Sequence, residues 1–147
     1  MSWVFAEEKL DSYLRDAAGL WIEHYEELGR RDLVMDLDIP TFQSLEDLDC
    51  LCIVTARKDG VLKGYVIMII RRHLHYHLIC AMEDAYFLTK SERSFGIGKK
   101  MIEASLDFAK ARGAEMAMFH SKVFESHRKL FAAEGFEQLD EIWVRKI

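Results

Sequence analysis

"SERSFGIGKK", residues 91–100, sets two glycines one residue apart among cations. It lies between an apolar run, "DAYFL" (84–88), and "MIEASLDFAKA" (101–111), whose apolar residues recur at helical spacing. At a strand-to-helix junction the first-turn N–H groups have no partner within the helix, and the positive end of the helix dipole faces outward. Such a point attracts phosphate. Gly96 and Gly98 let the backbone approach a ligand without an intervening side chain. Lys90, Arg93, Lys99 and Lys100 add positive charge, partly offset by Glu92. The spacing of a P-loop is absent, and Met101 stands where a dinucleotide fingerprint needs its third glycine. What remains is Arg-x-x-Gly-x-Gly, "RSFGIG" (93–98).

Working outward, Leu10, Leu14, Ala17, Trp21, Tyr25 and Leu28 step by three or four, which predicts a helix over residues 5–28 ended by Gly29. "DLDIPTF" (36–42) starts a second, short helix with Pro40 in its first turn. "CLCIVTA" and "VLKGYVIMII" flank Asp59-Gly60 and read as a β-hairpin, and "HLICAMEDAYFL" gives a third long strand. After the glycine loop come an amphipathic helix stopping near Gly113, a short strand in "AEMAMFH", a helix in "FESHRKLFAAEGF" capped at Gly135, and a closing strand in "EIWVRKI". The expectation is an α+β fold in α/β/α layers, one domain over residues 1–147, with a mixed, mostly antiparallel sheet and about four helices.

Bulk composition narrows the function classes. The chain has 147 residues, 50% hydrophobic and 31% charged, with a net charge of −5. Binding nucleic acid without regard to sequence needs a basic surface, so nucleic acid is not expected as a partner. The three cysteines, Cys50, Cys52 and Cys80, follow no zinc spacing and read as reduced and mostly buried, which suits the cytoplasm. Neither a signal peptide nor a membrane span is expected; the longest apolar run, 61–70, is interrupted by Lys63. Trp3, Trp21 and Trp143 are expected in or around the core.

"RSFGIG" between a strand and an amphipathic helix resembles the acetyl-CoA pyrophosphate loop of the GNAT superfamily of N-acyltransferases. The element order is similar across essentially the whole chain, and "SHRKLFAAEGF" resembles that family's fourth helix with its Gly-Phe ending. A narrower likeness, in "LWIEHYEEL", "GYVIMIIRRHLHYH" and the tail, is to short GNAT-like proteins of bacteriophages. The resemblance implies an acetyl-CoA-dependent N-acyltransferase in which an amine attacks the thioester directly within a ternary complex. It implies that backbone amides of Phe95, Gly96, Ile97, Gly98 and Lys99, with Arg93 and Ser94, hold the CoA pyrophosphate. The thioester is then expected near Phe87, Leu88 and Thr89, with a backbone N–H such as that of Leu88 as oxyanion donor.

Direct transfer also needs a base for the amine and an acid for the departing thiolate. Many family members place a tyrosine in the fourth helix as that acid; here the matching residue is Phe131, which has no proton to give. Either another group serves, such as Tyr86, Tyr76 or water, or the thiolate leaves unassisted, or the protein is not a catalyst; Tyr86 is the candidate catalytic residue among these. Glu83 and Asp84 precede the loop on opposite faces of a strand. Glu83 shares parity with Phe87 and is the preferred base. His73, His75 and His77 alternate, so in an extended chain their imidazoles face one way. No acidic or cysteine ligand falls at a metal spacing, and no metal is expected. The favoured reading has this bend overhang the acceptor pocket, with His75 assisting proton transfer; His24 approaches the same cleft from the first helix.

The acceptor, a small amine or a protein amine, stays open, as does a homodimer through the edge of "EIWVRKI". The alternative reading is a GNAT-fold scaffold without turnover, a phage assembly or regulatory protein with virion partners. On either reading the expected compartment is the cytoplasm, the host's if phage-encoded, or the virion.

Overall fold

In the computed structural model, which describes residues 2–30, 32–122 and 127–147, the chain opens with a strand. β1 (Trp3–Glu8) precedes α1 (Leu10–Leu28). This corrects the helix expected over residues 5–28: its helical spacing begins only at Leu10, whereas residues 3–8 pair antiparallel with residues 53–58. Lys9 is the N-cap, and α1 ends on Gly29 in the left-handed region at φ +65°. α2 (Ile39–Asp47) starts as expected, with the Asp38 side chain accepting from the Thr41 N–H and a proline in the first turn.

β2 (Leu51–Lys58) and β3 (Val61–Arg72) form the hairpin around Asp59 and Gly60, both at positive φ. β4 (Ile79–Leu88) pairs antiparallel with β3. A 3₁₀ turn (Lys90–Glu92) leads to α3 (Ile97–Ala111); β5 (Met116–Met118) and α4 (Arg128–Ala133) follow. The sheet runs in order β1-β2-β3-β4-β5, antiparallel except for the parallel pair β4–β5. Part of the helix expected in "FESHRKLFAAEGF", residues 124–126, lies outside the described residues.

Two apolar layers sandwich the sheet. Leu10, Tyr13, Ala17, Ile53, Tyr65, Ile67 and Phe87 pack beneath α1 and α2. Cys52, Val54, Val66, Met68, Ala81, Leu88 and Met101 pack beneath α3. Each fully buried aliphatic side chain stabilises the fold by about 1.5–3 kcal/mol. The α/β/α expectation holds.

Two expectations at the C-terminus fail. Residues 141–147 form no strand, and Trp143 is 88% exposed rather than near the core. Alternating β-branched and aromatic residues make a strand only when a ladder partner is in reach, and this segment pairs with no edge among the described residues. The three cysteines are free; Cys52 and Cys80 are buried. No helix of the described residues is long and apolar enough to cross a membrane.

Candidate active site

β4 and β5 pair over only three residues, 80–82 with 116–118. β4 then continues to Leu88 while β5 stops at Met118, so the two strands part beyond Met82. The gap is the mouth of a cleft of about 290 Å³ walled by α1, β4, the glycine loop, the residues after β5, and α4. Of the residues singled out in the sequence, His24, Glu83, Asp84, Tyr86, Phe87, Leu88, Arg93 and Gly98 line it.

At one end lies the glycine loop. Phe95 and Gly96 both take positive φ, +66° and +73°, and Gly96 is the N-cap of α3. Two left-handed residues in a row turn the chain sharply into α3, whose Gly98 lines the cleft. Gly98 faces Tyr86 so closely that a Cβ there would stand 2.7 Å from the tyrosine oxygen. The loop is anchored from behind by α1. Glu23 accepts from the Thr89 hydroxyl (2.8 Å) and the Lys90 N–H (2.9 Å). Arg93 donates to the Leu88 carbonyl (2.8 Å) and to Glu27 (2.6 Å), and its guanidinium lies over the Phe87 ring. Burial opposes charge on Glu23, but the Lys90 N–H and the Thr89 hydroxyl prevail and hold its carboxyl below the ordinary range. Ile97 is buried, Lys99 lies near Glu103 and Glu134, and Phe95 is exposed. Ser94 sits exposed between Arg93 and Phe95.

At the other end the β3–β4 register shifts. Ile67 faces Ala85 but Met68 faces Glu83, so Asp84 is an extra, bulged residue. The bulge overturns the parity argument. Ala81 and Leu88 belong to one core layer and Phe87 to the other, so Glu83, two residues from Ala81, faces away from Phe87's side. Its carboxylate is buried and accepts from both the N–H (3.0 Å) and the Nδ1 (2.9 Å) of His120. That bond, against the cost of burial, raises the His120 pKa. Glu83 thus fastens the chain after β5 to the sheet.

Asp84 stays open to solvent in the cleft. The crowding walls and the Glu83 charge push its carboxyl above the usual range. Burial similarly raises Tyr86, whose ring touches those of His127 and Phe131; the hydroxyl keeps its proton at neutral pH. Phe131 itself is buried against Phe119 and Phe136. His24 stacks on Phe87, its Nδ1 is 2.9 Å from the Tyr65 hydroxyl, and burial depresses its pKa to about 4.

His75 is placed elsewhere. It sits exposed in the turn joining β3 to β4, which is not among the cleft-lining residues. The chain there is not extended: residues 74–76 turn, His77 takes φ +52°, and His73 stacks on Tyr76. The three imidazoles therefore do not form one row. The bulge that turns Asp84 into the cleft and the bond from His120 to Glu83 were not read in the sequence. A bulge and a contact across 37 positions leave no local signature.

The sequence profile of the Acetyltransferase (GNAT) family matches residues 10–136, and the chain belongs to that family. Solved structures agree on the fold. A ribosomal-protein-alanine N-acetyltransferase from Brucella melitensis biovar Abortus superposes with a TM-score of 0.76 at 22% identity, over 99% of each chain. AAC(6')-Iy, bound to the bisubstrate analogue CoA-S-monomethyl-acetylneamine, gives 0.76 at 19% identity over 100% of this chain and 99% of that one. Glucosamine-6-phosphate N-acetyltransferase from Arabidopsis thaliana gives 0.73 at 15% identity, again over 100% and 99%. The comparison with curated proteins found no match.

Proposed function

We propose that this protein transfers an acetyl group from acetyl-CoA to an amine by direct attack. The observation that carries the reading is the parted β4–β5 pair, a cleft with the first-turn amides of α3 at one end and the bulged Asp84 at the other. The amides of Ile97, Gly98 and Lys99 receive the pyrophosphate, with Arg93 holding the loop in shape. The pantetheine arm lies along the backbone of Leu88 and Phe87 as an added strand. Four residues of strand, about 13 Å, separate Leu88 from Asp84, which brings the thioester toward the bulge rather than to Thr89, whose hydroxyl is engaged by Glu23.

Asp84 takes the proton of the incoming ammonium, since Glu83 is committed to His120. The neutral amine then forms its bond to the thioester carbon, the carbon–sulfur bond breaks, and the nitrogen gives up its second proton to water to become the amide. Tyr86, beside the Phe131 ring, supplies the proton to the thiolate; its raised pKa keeps it protonated, the state an acid must hold.

Equilibrium binding of acetyl-CoA, with and without Gly98→Glu, tests the reading. Micromolar affinity lost in the variant is expected; no binding at millimolar ligand by the wild type would remove the proposal. In Asp84→Asn, turnover should fall roughly 100-fold. Because the base must be ionised, wild-type kcat/KM should rise with pH through the elevated Asp84 value, and that limb should vanish in the variant. Acetyl-CoA binding without thiol release on any amine would favour the scaffold reading, for which Phe131 is the motivating residue.

A further inference from the structure

A second cavity, of about 200 Å³, opens between α1, the segment joining α1 to α2, α2 and the sheet. It meets the cleft at four shared lining residues, His24, Leu28, Asp84 and Ala85. We infer that this cavity holds the body of the acceptor, and that the acceptor is a primary amine on an apolar aryl or alkyl skeleton, its ammonium seated on Asp84. The inference rests on the acetyltransferase reading and names its substrate class.

Three observations carry it. The walls are apolar or aromatic: Trp21, Met35, Leu37, Phe42 and Ile67 supply much of the surface. Apart from Asp84, the polar tips that reach the cavity are engaged by the protein. The Trp21 indole N–H donates to the Tyr13 hydroxyl (2.7 Å), Tyr65 and His24 bond each other, and the Tyr25 hydroxyl donates to the Leu33 carbonyl. A sugar or peptide in this space would leave its own hydroxyls or amides without partners, which disfavours it. Finally, among the described residues Asp84 is the only acidic side chain lining the cavity, and His24 is neutral at about pH 7. Among the described residues no lysine or arginine lines the cavity, so a carboxylate or phosphate on the substrate finds no cation among them, whereas an ammonium meets Asp84.

Position follows from the shared residues. An amine held at Asp84 stands where the cavity joins the cleft, and a chain growing from it the other way enters the apolar space. At about 200 Å³ the cavity exceeds the roughly 150 Å³ of an apolar cavity that takes benzene, which suits a single ring with a short arm.

The test uses the full chain and four amines: 2-phenylethylamine, spermidine, glucosamine and an alanine-terminated peptide. Acetyl-CoA-dependent thiol release is measured for each, and calorimetry measures 2-phenylethylamine binding without acetyl-CoA. The expected result is saturable turnover of 2-phenylethylamine, with kcat/KM at least tenfold above the other three. Met35→Lys, on the cavity wall, should raise its KM at least tenfold while acetyl-CoA still binds, and Asp84→Asn should abolish its calorimetric signal. Turnover of spermidine, glucosamine or the peptide in preference to 2-phenylethylamine overturns the inference and leaves the acetyltransferase reading standing. If acetyl-CoA does not bind, that reading fails, and calorimetry alone decides whether the cavity takes an apolar amine.

Discussion

Gly96 and Gly98 stand two positions apart and serve different ends. At Gly96 a Cβ meets nothing within 4 Å, but φ is +73°, so any other residue is strained. Gly96→Ala should cost about 1–2 kcal/mol in denaturant unfolding and change acetyl-CoA affinity little. At Gly98 the backbone is helical and the obstacle is the Tyr86 hydroxyl. Gly98→Ala should weaken acetyl-CoA binding roughly tenfold with a smaller loss of stability, since closed packing beside a ligand tolerates no added methyl. His24 gives a pH signature. Its folded pKa, about 4, lies below the unfolded value, so the unfolded chain binds more protons between about pH 6.5 and pH 4. Stability is therefore lost as pH falls through that window, and His24→Gln should flatten this loss in thermal melts at graded pH.

At the scale of elements, the glycine loop is held by a helix that follows it in space but precedes it in sequence by 66 positions. Glu23 and Glu27 of α1 bond Thr89, Lys90 and Arg93, so the angle at which the loop meets the cleft depends on α1. Glu23→Gln should raise the KM for acetyl-CoA about five- to tenfold, one charge-assisted bond being lost, with kcat nearly unchanged. Equal losses in kcat and kcat/KM would instead show that the loop acts in the transition state. The Glu23 carboxyl is depressed in the fold, so its contribution to stability is present above the ordinary glutamate value and fades as pH falls through the folded one.

Over the whole molecule, Arg112 closes the end opposite the cleft. From the C-terminus of α3 it donates to the Leu51 carbonyl (2.6 Å), the Asp49 carbonyl (2.8 Å), and the carboxylates of Glu7 (3.0 Å) and Asp49 (2.7 Å). One guanidinium thus joins α3, β1 and the turn before β2. Arg112→Ala should destabilise by roughly 2 kcal/mol in urea unfolding, two carbonyls losing their donor. Lysine should not restore the loss, because an ammonium cannot serve that fork of acceptors. Acetyl-CoA affinity of the remaining folded protein should be unaffected.

Local chemistry alone determined much of this protein. Helical spacing from Leu10, the cap residues Asp38 and Gly29, the Asp59-Gly60 turn and the arginine–glycine loop each act within a few residues, so each was legible in the chain. Where a feature depended on a partner, the sequence was silent or misleading. Residues 3–8 became a strand because they pair with β2, and residues 141–147 did not because they pair with neither open edge of the described sheet. The bulge at Asp84 and the engagement of Glu83 by His120 belong to the same class. A bulge is a mismatch between two strands, and a carboxylate's availability depends on what else bonds it; neither exists until β3, β4 and His120 are brought together.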